Sequence, residues 1–178
     1  MLDDVDWFFG YGSVIFRPGF PFAEQRVATL EGFTRRFHQG SEDHRGVPGA
    51  PGRVVTLVGM PGARTVGMAF RIAKADAAAV WTELDHREKG GYEAQLVELV
   101  GGLRARAYIA PPGNPHWLGV APIEDIAEQI ARSRGPSGAN ADYLLELAKA
   151  LRILGTSDEH VFSLEALVGA KLAALTVP

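Results

Sequence analysis

Apolar residues in the first half of this 178-residue chain fall into short runs suited to strands, and in the second half into stripes at helical spacing. Trp7 to Phe9 reads as a short buried strand and Val27 to Phe37 as a second. Arg53 to Val58 is compact and β-branched; the turn GMPGA follows, and Thr65 to Ile72 is expected to return as its hairpin partner. A helix is predicted next, with Asp76 as N-cap, Ala77, Val80, Trp81 and Leu84 on its inner face, and Gly90-Gly91 as its stop. Strands are predicted again at Tyr92 to Leu99 and Arg104 to Ile109. After the loop APPGNPHW come three helical stripes. One carries Ile123, Ile126, Ala127 and Ile130; another Tyr143, Leu144, Leu147, Leu151 and Leu154; the last spans Ser157 to Leu175. Strands first and helices after them predict an α+β fold rather than a doubly wound parallel sheet. No repeat or long linker divides the chain, so residues 1–178 read as a single domain.

The segment WFFGYGSVIF, Trp7 to Phe16, breaks this pattern by placing two glycines inside an aromatic run. Glycine weakens a strand interior and marks a bend or a close backbone approach. A phosphate loop fails here: the third glycine of a dinucleotide fingerprint is Ile15, Arg17-Pro18-Gly19 intervenes before any helix, and no Gly-Lys-Ser/Thr exists. Two readings stay open. The loop is a tight turn with a capped serine, or it offers backbone groups and the Ser13 hydroxyl to a carboxylate, an amine or a developing oxyanion.

Glu88 lies four residues beyond Leu84 and so continues the apolar face of the first predicted helix. Burial and the negative end of the helix dipole both disfavour its anion, which raises its pKa toward the range of a general base. Asp85 and Arg87 fall elsewhere on the wheel and are expected to be solvated or paired. The plainer alternative has Glu88 neutralising Arg87 or Lys89 at a frayed helix end.

Arg35 to Arg53, RRFHQGSEDHRGVPGAPGR, is expected to be an ordered loop held by Gly46, Pro48, Gly49, Pro51 and Gly52. His38, Asp43 and His44 have no metal-ligand spacing, so Asp43, His44 and Arg45 are expected to bond to backbone or to each other. The basic residues here are also suited to a substrate carboxylate. No Ser/His/acid arrangement emerges, and the chain has no cysteine for a nucleophile or thiolate site. Net charge is −3, which makes no electrostatic case for nucleic acid or an anionic membrane. Asp3, Asp4 and Asp6 stand where a signal peptide needs basic residues, and no run nears the roughly 20 apolar residues of a membrane span. The reading is a cytoplasmic chain requiring no metal or cofactor; oligomeric state is left open.

Taken together, GYGS, RRFHQGSEDHRGVPGAPGRVVTL, REKGGY, APIEDIAEQI and GPSGANADYLLELAKALR resemble, in order, the ChaC-type glutathione-specific γ-glutamylcyclotransferases. The resemblance runs from about Trp7 to Leu167. It implies an α+β fold around a small, mostly antiparallel, barrel-like sheet. It also implies that Phe8, Phe9, Gly10, Tyr11, Gly12, Ser13 and Val14 form a cradle for the γ-glutamyl group, that Glu88 is the catalytic acid/base, and that Tyr143 is a weaker contact. The implied reaction converts glutathione to 5-oxoproline and Cys-Gly. Three positions depart from the family pattern: Val14 for leucine, Phe16 for tryptophan and His38 for tryptophan. These bear on substrate preference. Other γ-glutamyl amines or peptides as substrates, and a non-catalytic γ-glutamyl binder, are the alternatives.

Overall fold

The computed structural model describes residues 5–175. These fall into two compact units, one built from residues up to Arg35 with Leu57–Pro115, the other from Arg36–Thr56 with the residues from His116 onward. The chain order is β1 (Trp7–Gly10), a 3-10 turn (Ser13–Ile15), β2 (Glu24–Ser41), β3 (Gly52–Arg71), α1 (Ala77–Arg87), β4 (Glu93–Leu99) and β5 (Leu103–Ile109). Then come α2 (Ile123–Arg132), the two-residue strands β6 (Arg134–Gly135) and β7 (Gly138–Ala139), α3 (Asn140–Ile153) and α4 (Glu159–Leu175).

Five strands form a mixed sheet in the order β2-β3-β1-β5-β4. The pairs β1·β3 and β4·β5 are antiparallel and β1·β5 is parallel. The α+β class and the largely antiparallel sheet agree with the sequence, but the sheet is open, with β2 and β4 at its edges. "Barrel-like" is therefore too strong. One backbone bond, from Val100 N–H to Thr29 C=O at 2.9 Å, approaches closure without a ladder.

Two further expectations change. Residues 53–72 do not fold into a hairpin at GMPGA; β3 runs through it as one strand with Gly62 at φ 80°. Pro61 lies outside Met68–Arg71, the stretch of β3 that pairs with β1, so it leaves no gap in that ladder. The polar run from Arg35 likewise begins as strand, with β2 continuing to Ser41. Asp76 occupies the N-cap position of α1, yet its side chain makes no capping bond.

In the first unit, α1 covers the sheet. Val80 and Leu84 join Phe8, Val14, Phe20, Phe70, Ile72 and Tyr108 in one buried cluster. Phe8 meets Phe20 and Tyr108 edge to face, with ring centroids 5.6 and 6.0 Å apart. Full burial of such side chains stabilises the fold by roughly 1.5–3 kcal/mol each, which anchors the strand that delivers the glycine loop.

In the second unit, Ile126, Ala127 and Ile130 of α2, Leu144, Leu147 and Leu151 of α3 and Val161, Leu164 and Val168 of α4 are buried, as their spacing predicts. The loop between β2 and β3 is tied within itself and to the segment around β6 and β7. Ser41 Oγ accepts the Arg45 N–H at 3.1 Å, Arg45 donates to the Ala139 carbonyl at 3.0 Å, and His44 Nδ1 lies 3.1 Å from Ser137 Oγ. As expected, Arg45 bonds to backbone and Asp43 lies 3.7 Å from His44, while His44 also meets the Ser137 side chain outside the loop. Backbone meets backbone closely: a Cβ on Gly46 would lie 2.1 Å from Gly52 N, and one on Gly135 2.4 Å from His44 O. No helix among the described residues is long and apolar enough to cross a membrane.

Candidate active site

Alternation along β1 sends Phe8 and Phe9 to opposite faces, both buried. Phe8 enters the cluster under α1, while Phe9 packs toward Tyr11 with centroids 6.5 Å apart. The chain then leaves the sheet at Gly10. A Cβ placed on Gly10 would sit 3.0 Å from Val14 Cβ, so the loop folds tightly back on its own stem. The facing strand makes room as well: a Cβ on Gly67 would lie 2.4 Å from the Gly10 carbonyl and 2.9 Å from the Phe9 ring. Bare backbone at both glycines is what this packing needs.

Tyr11 is clamped from two sides. Its hydroxyl donates to the Tyr108 carbonyl at 2.5 Å, and its own carbonyl accepts Arg35 Nε–H at 2.7 Å. Arg35 is only 2% exposed and also donates to the Val66 carbonyl at 2.6 Å. Gly12 leads into the 3-10 turn, where Ile15 N–H bonds to Gly12 C=O at 3.1 Å. The Ser13 carbonyl takes the N–H groups of Phe16 and Arg17 at 3.2 and 2.8 Å. A turn of this kind leaves its first N–H groups without acceptors inside the turn. Val14 points into the core.

Glu88 is the C-cap of α1. Its N–H bonds to Leu84 C=O at 2.9 Å, and its carbonyl accepts Tyr92 N–H at 3.2 Å, a reversal that Gly91 permits at φ 98°. Its side chain is 18% exposed, partly sequestered as the helical wheel predicts.

Arg87 is paired, one of the two outcomes expected for it, and its contact with Glu88 is the neutralisation named in the plainer alternative. Its Nη2–H donates to Ser13 Oγ at 2.9 Å and its Nη1–H to the Pro18 carbonyl at 3.1 Å, while Nε lies 3.5 Å from Glu88 Oε1. One guanidinium thus touches both the glycine loop and the motif carboxylate, 75 positions apart in the chain. A cation at that distance favours the ionised carboxylate and so opposes the burial and dipole effects. What the wheel does not give is the reach of Arg87 to Ser13 and Pro18, because a long side chain extends past the angular position of its Cα. Asp85, by contrast, is mostly exposed but accepts the Tyr108 hydroxyl, and Arg106 lies 3.9 Å away. Burial first, then the Asp85 bond, push the Tyr108 phenol above its usual range.

Arg35 also escaped notice as a functional support, although one signal was present. It shares strand parity with buried Phe37, which places a cation on the inward face of β2.

In the second unit, Tyr143 is buried. Its hydroxyl accepts the Val55 N–H at 3.4 Å, its ring packs edge-on against Phe37 at 5.9 Å, and the Arg45 guanidinium lies over its face at 5.7 Å. His38 is buried at 7% exposure with the Trp117 ring edge-on at 5.5 Å. Burial first, and then Arg53 and Arg36, lower its pKa. Among the described residues no group of three or more His, Asp or Glu side chains is placed to hold a metal ion.

A ChaC-like protein family model matches residues 6–171. Over 170 residues the chain is 42% identical to Gamma-glutamylcyclotransferase 2-3 of Arabidopsis thaliana, covering 89% of this chain and 85% of that one. Over 176 residues it is 40% identical to Glutathione-specific gamma-glutamylcyclotransferase 1 of Homo sapiens, covering 93% and 79%. A crystal structure of a γ-glutamylcyclotransferase specific to glutathione from yeast superposes with TM-score 0.88 at 28% identity, covering 92% of this chain and 95% of that one.

Proposed function

The chain belongs to the ChaC-like family, and from that premise we propose that it cleaves glutathione to 5-oxoproline and Cys-Gly, with Glu88 as general acid/base. The observation that carries the site assignment is the sharing of Arg87 by Ser13 and Glu88, which joins the glycine loop and the motif carboxylate in one place. The relatives' names supply the substrate class.

The substrate contains its own nucleophile. The glutamyl α-amine attacks the γ-carbonyl carbon, a five-membered lactam closes, and the amide bond to cysteine breaks. The ammonium gives up two protons in all, and the departing nitrogen gains two, so no water is consumed. Glu88 carries this proton traffic, a role worth about 10²–10⁴ in rate. The loop from Phe8 to Val14 cradles the γ-glutamyl group. Its backbone N–H groups, with the Ser13 hydroxyl, offer donors to the tetrahedral oxyanion. Holding the amine over the carbonyl supplies much of the remaining acceleration.

The test is release of 5-oxoproline and Cys-Gly from glutathione by purified protein, with Glu88→Gln beside it. Wild type should turn over without added cofactor. Glu88→Gln should lose about 10² or more in kcat while keeping its thermal midpoint. Near-normal turnover by that variant would remove Glu88 from the mechanism.

A further inference from the structure

Resting on the reading of Glu88 and the glycine loop as one site, we infer that Arg87 is its positioning residue. The guanidinium sets the Glu88 carboxylate and the Ser13 hydroxyl in a single fixed arrangement. Three groups converge on it from three segments: Ser13 Oγ at 2.9 Å from the 3-10 turn, the Pro18 carbonyl at 3.1 Å from the segment after it, and Glu88 Oε1 at 3.5 Å from the end of α1. A planar fork with five donors can serve all three at once, which a lysine ammonium cannot do with the same geometry.

Arg87 is not needed to hold α1. Val80 and Leu84 pack the helix on the sheet, and backbone bonds from Glu88 N–H to Leu84 and from Tyr92 N–H to Glu88 close its end. What the guanidinium adds is a cross-link between helix end and loop, made partly out of solvent, where charge-assisted bonds are strong. Without it the Glu88 carboxylate loses its ion pair to the guanidinium that also holds Ser13. With it, Ser13 Oγ spends a lone pair on Arg87 and keeps its own hydrogen to donate. The arginine of the REKGGY motif therefore acts through its neighbours rather than on the substrate.

The test compares wild type with Arg87→Met, Arg87→Lys, Ser13→Ala and the Arg87→Met/Ser13→Ala double variant. Loss of about an ångström of positioning costs up to about 10²-fold, so Arg87→Met should lower kcat by about 30- to 100-fold with KM within about threefold. Arg87→Lys should recover only part of this, and the double variant should lose less than the product of its two single losses. A second readout needs no turnover. The Phe16 and Arg17 amides, which bond to Ser13 C=O, should exchange hydrogen about tenfold faster in Arg87→Met, while the amides of the α1 core keep their protection. Should Arg87→Met unfold, Arg87→Gln carries the same measurements. The inference is overturned by a kcat within twofold of wild type, by full recovery in Arg87→Lys, by multiplicative losses, or by unchanged Phe16 and Arg17 exchange. Wild type that releases no 5-oxoproline overturns the proposed function instead, and the exchange readout separates the two failures.

Discussion

Tyr11 and Tyr108, 97 positions apart, are joined by a hydrogen bond of 2.5 Å from the Tyr11 hydroxyl to the Tyr108 carbonyl. The Tyr108 hydroxyl in turn donates to Asp85, three residues before Glu88 on α1. A side chain standing between two glycines thereby ties the loop to β5, and β5 to the helix that presents the carboxylate. The loop owes its shape to this fastening as much as to its glycines.

Tyr11→Phe removes that donor and leaves a buried carbonyl short of its partner. A loss of about 1–2 kcal/mol is expected. Urea unfolding monitored by fluorescence would measure it, and an unchanged midpoint would mean the bond contributes nothing net.

Gly67→Ala puts a methyl group 2.4 Å from the Gly10 carbonyl. Backbone on both sides cannot yield cheaply, so β1 and the loop must shift. Destabilisation by about 1–3 kcal/mol is expected, with a larger proportional loss of 5-oxoproline release than of folded protein. Gly59→Ala, where a Cβ meets nothing within 4 Å, serves as the control and should leave activity unchanged.

Asn140 is completely buried at the start of α3. Its Oδ1 accepts the Arg53 N–H at 2.7 Å, and its Nδ2 donates to the Arg53 carbonyl at 2.8 Å. Asn140→Ala strands both backbone groups and should cost about 2–4 kcal/mol in thermal or chemical unfolding. Asn140→Asp loses the donor and buries a carboxylate against that carbonyl, so it should be no better.

His160 accepts the Phe37 N–H on Nε2 at 3.2 Å, which requires the neutral ring. Burial first, and then the Arg36 charge, hold its pKa down to about 4; Asp158 pulls the other way, and His38 and Arg53 add smaller downward effects. A pKa lower in the folded state than in the unfolded chain means that the unfolded chain binds the extra proton. The contribution is complete above about pH 6.5 and drains away as pH falls toward 4, up to about 3 kcal/mol in all. Comparing urea midpoints at pH 7 and 4.5 should show a shallower pH dependence in His160→Gln than in wild type. Equal slopes would exclude His160 as a source.

Several features could be read without coordinates because they depend on local periodicity or on motif order. The three helical stripes are of this kind, as are β1, β4 and β5, and the place of Glu88 one turn beyond Leu84. The hairpin expected at GMPGA failed for a definite reason. Glycine and proline mark where a chain can turn, but whether it does depends on the strands alongside, and here β3 lies between β2 and β1 as one continuous strand. The same limit hid Arg35 and Arg87. Arg35 bonds to Tyr11 and Val66, and Arg87 reaches Ser13 and Pro18 besides its neighbour Glu88, so no window of sequence contains both ends of those long-range bonds.

The amino-acid sequence by itself determined the α+β class, the place of Glu88 one turn beyond Leu84 at the end of α1, and membership of a recognisable family. Only the tertiary structure decided that the sheet stays open, that Arg35 and Tyr108 hold Tyr11 in place, and that Arg87 bridges Ser13 to Glu88. Patterning fixes which face of an element is apolar, because that depends on neighbours three or four residues away. Where a guanidinium ends, some 7 Å from its own backbone, depends on which acceptors other segments bring within its reach.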